Sequence, residues 1–244
     1  MDQCLNTFVA KLTSRTKLTD HECQAVLALG GKSEQLEAHE SFVLLGDATM
    51  SACLVLDGFC ARVSRPTEES RQITAIYIKG DMPDLYSAFL PQANATLESL
   101  TRATIIRIPH LAIRQVMRVY PAVAEAFGRY LIADAAITSE WLINVGGREA
   151  ARKLAHLFCE MAVRMAKVEA HSFSFFFPIS QTQLAEVCAL SSVHINRSLM
   201  SLRRDGLIVV DRGMITIPNW DALKKAASFD DRYLVSSRPS RFSN

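Results

Sequence analysis

The 244-residue sequence contains no run of about 18 uncharged apolar residues, which excludes an ordinary transmembrane helix, and no basic, apolar leader opens it. A soluble, untargeted, cytoplasmic protein is expected, with no membrane partner. The six cysteines, at 4, 23, 53, 60, 159 and 188, form no C-x-x-C pair and no zinc-ligand spacing. No segment clusters three thiolates, so an iron–sulfur cluster is not expected either. Cys53, Cys159 and Cys188 lie within apolar patterns and read as buried fillers in a reduced protein. No Ser-His-Asp, Cys-His or metal-binding constellation is recognisable, and the six histidines are scattered. The sequence therefore predicts no catalytic residue, no metal, no cofactor and no enzyme.

Charge is small overall and unevenly placed. The formal net charge is +2, yet residues 146–244 carry +5 and residues 1–145 carry −3. A basic half suits contact with phosphates. Within that half, Ile179–Val210 reads as a short helix, a tight turn, a second helix and a strand. Ile195, Leu199 and Leu202 fall at i, i+4 and i+7 and share one face of the second helix. The opposite face carries Ser192, His194, Asn196, Arg197, Arg203 and Arg204, whose side chains reach base edges and phosphates. The small Ala185 stands where the two helices must cross. This is the outline of a helix-turn-helix with Ser191–Arg204 as recognition helix.

Two short β-prone runs follow, Leu207–Val210 and Met214–Ile217, with Asp211-Arg-Gly213 between them as a three-residue hairpin loop. A helix-turn-helix followed by a β-hairpin is a winged helix. Phe173, Phe175 and Phe177 alternate with Ser172, Ser174 and Phe176 as a further strand, expected to pack against the wing.

Upstream the texture differs. Residues 4–30 read as helical, with Thr19-Asp20 starting His21–Leu29 and Gly30-Gly31 ending it. From Gln35 to Pro109, short β-prone runs alternate with turn signals at Gly46-Asp47, Asp57-Gly58, Pro66–Ser70 and Lys79-Gly80-Asp81. Turns every dozen residues or so point to an antiparallel barrel or jelly roll. Residues 110–168 are helical almost throughout, with Pro121 in the first turn of a long helix. Along that helix Val123, Ala126, Tyr130, Ala133, Ile137 and Trp141 recur at three- and four-residue steps, a coiled-coil-like seam expected to form a homodimer. Gly146-Gly147 costs roughly 1–2 kcal/mol against alanine in a helix and suggests a hinge. The expected class is α+β in four parts. Residues 1–120 form N-terminal helices and a β-roll sensor, 121–145 the dimerisation helix, 146–230 the winged-helix domain and 231–244 a mobile tail.

The order of β-roll, long central helix, glycine hinge and winged helix resembles the Crp/Fnr transcription factors. Leu54-Val-Leu-Asp-Gly58, Lys79-Gly-Asp-Met82, Glu140-Trp-Leu-Ile-Asn-Val-Gly-Gly147, Arg152-Lys-Leu-Ala-His156 and the winged helix carry the resemblance, which covers residues 5–235. It looks most like a proteobacterial branch with Gly-Asp-x-x-Asp-Leu after a barrel strand, here Gly80–Leu85, and Val-His-Ile/Val-Asn-Arg in the recognition helix, here Val193–Arg197. The resemblance implies sequence-specific, homodimeric binding to a palindromic double-stranded DNA operator. It also implies contact with RNA polymerase and an allosteric effector.

Departures from the family pattern qualify this. Cyclic-nucleotide binders carry a Gly-Glu and, further on, an Arg-Ser/Thr pair that answers the phosphate. Here those segments read Met82–Tyr86 and Asn94–Glu98, and no Arg or Lys lies between Asp81 and Thr101. A phosphate buried there is an unpaired charge, so no cyclic AMP is expected to bind. Cys4 and Cys23 do not reproduce the cysteine cluster of oxygen-sensing members.

By alignment of the turn, Ser180, Gln181 and Ser191 match phosphate anchors and Arg197 matches a base-reading arginine suited to guanine. Ala189 replaces a turn glycine. Tyr86, Ser87, Thr96 and Tyr130 are candidates for lining an effector pocket between barrel and helix. Two alternatives stand beside this. One is a thiol-based redox regulator using Cys4, Cys23 or Cys60. The other is an interaction module with degraded DNA readout, suggested by Val193 and Ala189.

Overall fold

The computed structural model describes residues 2–67, 70–165 and 172–235. The chain divides into two compact units, Met1–Ala135 with Val235–Asn244, and Ala136–Leu234.

Unit 1 opens with α1 (Asp2–Thr13) and α2 (Asp20–Leu27). Thr19 caps α2 through a reciprocal box with Glu22, which satisfies two of the donors a helix start leaves open. The strands are β1 (Lys32–Leu36), β2 (Ser41–Val43), β3 (Ser51–Asp57), β4 (Cys60–Thr67), β5 (Ser70–Tyr77), β6 (Thr96–Ser99) and β7 (Ala103–Pro109). They pair antiparallel into a three-stranded sheet, β1-β7-β3, and a four-stranded sheet, β2-β6-β4-β5. β1 escapes the hydrophobic pattern because Lys-Ser-Glu-Gln-Leu buries one side chain fully, Leu36.

The apolar runs in β3 and β7 divide by parity. Cys53, Val55, Ala103 and Ile105 join Leu36, Phe42, Cys60, Tyr77 and Leu97 in one core. Ala52, Leu54, Ile106 and Ile108 face a second core with Leu5, Phe8, Leu12, Val26, Ile113 and Phe127 of the helices. Successive side chains point to opposite faces, so a strand covered on both sides is apolar throughout. Gly58 turns β3 into β4 at φ +81°, and a Cβ there would strike the Arg102 carbonyl.

Two further helices follow, α3 (His110–Val119) and α4 (Pro121–Gly147). The expected dimer seam is corrected here. Val123, Ala126, Tyr130 and Ala133 are buried within the protomer, the first three in the second core. Trp141 is 6% exposed and donates its Nε1–H to Glu160 at 2.8 Å. The side chains left to solvent lie on another face, with Ile132 at 68% and Leu142 at 74% exposed. The expected glycine hinge is corrected too. Gly146 and Gly147 remain helical, and the break falls at Arg148-Glu149. Two glycines in a final turn displace no packed side chain and cost only propensity.

Unit 2 is built on α5 (Ala150–Met165), whose Lys153–Ala162 run is buried without interruption. Around it lie β8 (Phe173–Phe176), α6 (Gln181–Cys188), α7 (Ser192–Arg204), β9 (Val209–Asp211), β10 (Met214–Ile217), α8 (Trp220–Ala227) and α9 (Arg232–Val235). The sheet order is β8-β10-β9, so the phenylalanine strand pairs with the wing as expected. The hairpin loop is shorter than expected. Asp211 pairs with Met214, leaving Arg212 and Gly213 as a two-residue turn with φ of 46° and 82°. Two positive values in succession suit the turn whose twist matches a hairpin. The expected mobile tail also needs revision, because Leu234 is 7% exposed and the Tyr233 hydroxyl donates to Glu160. Residues 236–244 lie outside the described residues. No helix among those described is long and apolar enough to cross a membrane.

Candidate nucleic-acid interface

α6 and α7 are set by their caps. The Ser180 hydroxyl accepts from Gln183 N–H, and the Gln183 side chain accepts in return from Ser180 N–H. Ser191 caps α7 by accepting from His194 N–H, and its hydroxyl lies 2.9 Å from His194 Nδ1. Both helices begin at exposed residues, and a helix start favours anions. Between them Ala189 adopts φ 50°, the left-handed conformation that turn requires. Ala185 is buried at the crossing, as expected.

The apolar stripe of α7 is buried as expected, with Ile195 at 0%, Leu199 at 6% and Leu202 at 4% exposure. Ser192, His194, Asn196, Arg197, Arg203 and Arg204 are all exposed, as are Ser180, Gln181 and Ser191. Val193, Arg197, Met200 and Arg204 fall at i, i+4, i+7 and i+11, so they form one exposed line. Asn196 and Arg203 flank that line on one side and His194 on the other. Arg204 belongs to the outermost line, whereas Arg203 lies at its flank. Only the distinction between faces, not the presence of two arginines, needed the helix phase. Arg212 at the wing tip is exposed as well, and the basic residue in the hairpin loop is the signal for it. A 13-residue helix with this surface is long enough to lie in a major groove of about 12 Å width.

The Crp-like helix-turn-helix domain matches residues 152–226. Over 224 residues the chain is 17% identical to the fumarate and nitrate reduction regulatory protein of Escherichia coli (strain K12), covering 92% of this chain and 90% of that protein. A probable transcriptional activator of Rhizobium leguminosarum bv. viciae is 23% identical over 141 residues. That match spans 57% of this chain and 59% of the relative's length. FixK2 from Bradyrhizobium japonicum superposes with a TM-score of 0.73 at 16% identity, over 81% of this chain and 98% of that one.

Residues 152–226 carry a Crp-like helix-turn-helix domain, and the chain is similar to Crp/Fnr regulators over most of its length. It is a DNA-binding transcription regulator, and the relatives it matches are regulators rather than enzymes.

The roll departs from an effector cavity lined by free polar groups. The Tyr130 hydroxyl accepts from Met82 N–H at 2.8 Å, and the Tyr86 hydroxyl from Asn94 N–H at 3.1 Å. Ser87 Oγ lies 2.7 Å from His110 Nε2, and Thr96 Oγ1 accepts from Leu45 N–H at 3.1 Å. Each of the four candidate pocket residues is thus a tie between segments of the roll and its helices. Asp84 is buried, and its Oδ1 accepts from Cys53 N–H at 2.6 Å. Burial raises its carboxyl to about 6.

Two of the three candidate thiols are corrected similarly. Cys60 is fully buried, and burial pushes it up to about 12. Cys23 is half-buried and also raised, first by desolvation and then by Asp20 and Glu22. A nucleophilic thiolate needs the opposite shift. The Cys4 side chain lies outside the described residues. Among those described, no three His, Cys, Asp or Glu side chains gather into a set able to hold a metal ion.

Proposed function

We propose that the protein acts as a homodimer on a palindromic double-stranded operator, with one α7 helix in the major groove of each half-site. The observation that carries this reading is the exposed line Val193–Arg197–Met200–Arg204 opposite a fully buried apolar stripe. Arg197 supplies a bidentate contact to a guanine, Val193 meets a thymine methyl, and Asn196 and His194 reach flanking bases or phosphates. Ser180, Gln181, Ser191, Ser192, Arg203 and Arg212 hold the backbone.

The dimer seam is the outer face of α4. Gly128, Ile132, Ala135, Ser139, Leu142 and Gly146 alternate at four- and three-residue steps, and Ile132 and Leu142 stand exposed. That repeat keeps a seam on one side of a helix, and its glycines allow close approach. Half-sites lie about one helical turn apart. RNA polymerase is the further partner, and the cytoplasm the site of action.

The roll does not take cyclic AMP. No cation lies between Asp81 and Thr101, the Asp84 carboxylate is engaged by Cys53 N–H, and Arg62 and Arg71 are paired with Asp134 and Glu98. Any effector acting through Tyr86, Ser87, Thr96 or Tyr130 displaces one of the hydrogen bonds above.

The test is selection of genomic fragments on purified protein at stated salt, then binding to the recovered site with and without cyclic AMP. A palindrome indifferent to cyclic AMP is expected, with Arg197→Ala weakening it by about 1–3 kcal/mol. No enriched fragment would favour the interaction-module alternative, and restoration of binding by dithiothreitol after peroxide would favour the thiol one.

A further inference from the structure

Three segments distant in sequence meet on one buried carboxylate in unit 2. Glu160 of α5 is 0% exposed. Its Oε2 accepts from Trp141 Nε1 of α4 at 2.8 Å and from the Tyr233 hydroxyl of α9 at 2.9 Å. Its Oε1 accepts from Arg164 at 2.9 Å. Beside it the Tyr233 ring lies at 12° to the His156 ring, with centroids 6.0 Å apart, and Phe229 meets the same imidazole edge-on at 5.0 Å. The α4 end of this layer is tied again by Arg148 to Glu140 at 2.5 Å and by Asn144 to the Lys153 carbonyl at 3.2 Å.

The arrangement is more than a filled core. Only Arg148 and Glu149 separate α4 from α5, so the chain itself fixes the angle between them weakly. α5 is also the element on which α6, α7 and α8 pack. Whatever sets the α4–α5 angle sets where the recognition helix is carried relative to the end of α4. Side-chain hydrogen bonds to a buried carboxylate are directional and have no water to replace them. A segment returning from beyond the wing supplies one of them.

We propose that Tyr233, acting through Glu160 and Trp141, is a positioning residue for DNA binding. The C-terminal helix straps the α4–α5 joint and so fixes the separation of the two half-sites that a dimer can engage. This rests on the reading of the protein as a dimer on a palindrome.

The experiment uses the full chain, wild type and Tyr233→Phe, with Trp141→Phe as a second variant that removes the α4 leg. Binding is measured to the selected palindrome, to a single half-site, and to palindromes with the spacer lengthened or shortened by one base pair. Phenylalanine keeps the ring against His156, and Arg164 still neutralises Glu160, so the winged helix stays folded. Both variants are expected to bind the half-site within about twofold of wild type. On the full palindrome they should lose about tenfold and discriminate less between spacers. If both match wild type on every duplex, or lose half-site and full-site affinity in equal measure, the strap is structural only and the proposal is overturned. Wild type that does not prefer the palindrome to the half-site sinks the dimer reading, and the proposal with it.

Discussion

Arg62 on β4 and Asp134 on α4 form an ion pair at 2.7 Å, with the guanidinium carbon 5.5 Å from the centroid of the Tyr77 ring. Both partners are largely shielded, at 18% and 25% side-chain exposure. The pair joins the four-stranded sheet to the long helix. Removing one partner of a shielded pair leaves the other uncompensated, whereas removing both does not. Asp134→Ala should therefore lower the stability of unit 1 by about 2 kcal/mol, and Arg62→Ala/Asp134→Ala by less than the sum of the single changes. Additive denaturant midpoints in the double-mutant cycle would show that the pair contributes no coupling.

The face of α4 exposed to solvent separates association from folding. Ile132→Arg or Leu142→Arg should convert a dimer to a folded monomer in sedimentation, with the circular dichroism unchanged. Val123→Arg on the buried face should instead unfold unit 1, because it places a charge in the core. A dimer that survives both exposed-face substitutions would place the seam elsewhere.

Ala189 holds φ 50°, where an L-residue with a Cβ pays about 1–2 kcal/mol. Glycine relieves this but adds freedom to the unfolded chain. Ala189→Gly should stabilise unit 2 by about 0.5–1 kcal/mol without changing operator affinity. A lower melting temperature would mean the Ala189 methyl makes contacts that outweigh its strain.

Asp84 gives unit 1 an acid-side pH dependence. Burial raises its carboxyl to about 6, against about 3.9 in an unfolded chain. The folded protein therefore holds a proton that the unfolded chain releases earlier as pH rises. Its contribution is full below about pH 4, falls by about 1.4 kcal/mol per unit between about 4 and 6, and is constant above. Urea midpoints of the Asp84→Asn variant across that window should lack this decline. An unchanged slope would falsify the assignment to Asp84.

What the sequence made legible follows from local period. The alternation in β8 and the i, i+4, i+7 stripe of Ile195, Leu199 and Leu202 each bury one face, and each stands in the structure as read. α4 defeated the same logic because it is apolar on two faces. Val123, Ala126 and Tyr130 recur at the same steps as Ile132, Ala135 and Ser139, and spacing does not say which row meets the protomer's own core. Gly146-Gly147 looked like a break because propensity is a local quantity, while the break at Arg148-Glu149 has no comparable marker. The Trp141–Glu160–Tyr233 contact spans 19 and 73 residues, and no local pattern announces it. The exposed polar face of α7 was legible as a set of residues, and its outermost line required the helix phase to be fixed by Ser191.

The sequence has two tryptophans, Trp141 and Trp220, and both lie in unit 2. Trp141 is buried with its indole N–H on Glu160, and Trp220 packs on Phe173 with centroids 4.5 Å apart. Intrinsic fluorescence excited at the indole band is thus blind to the roll. It reports the α4–α5 joint and the β8–α8 contact alone, so an emission change on adding a small molecule that binds unit 1 is a label-free record of a signal that has crossed into the DNA-binding unit.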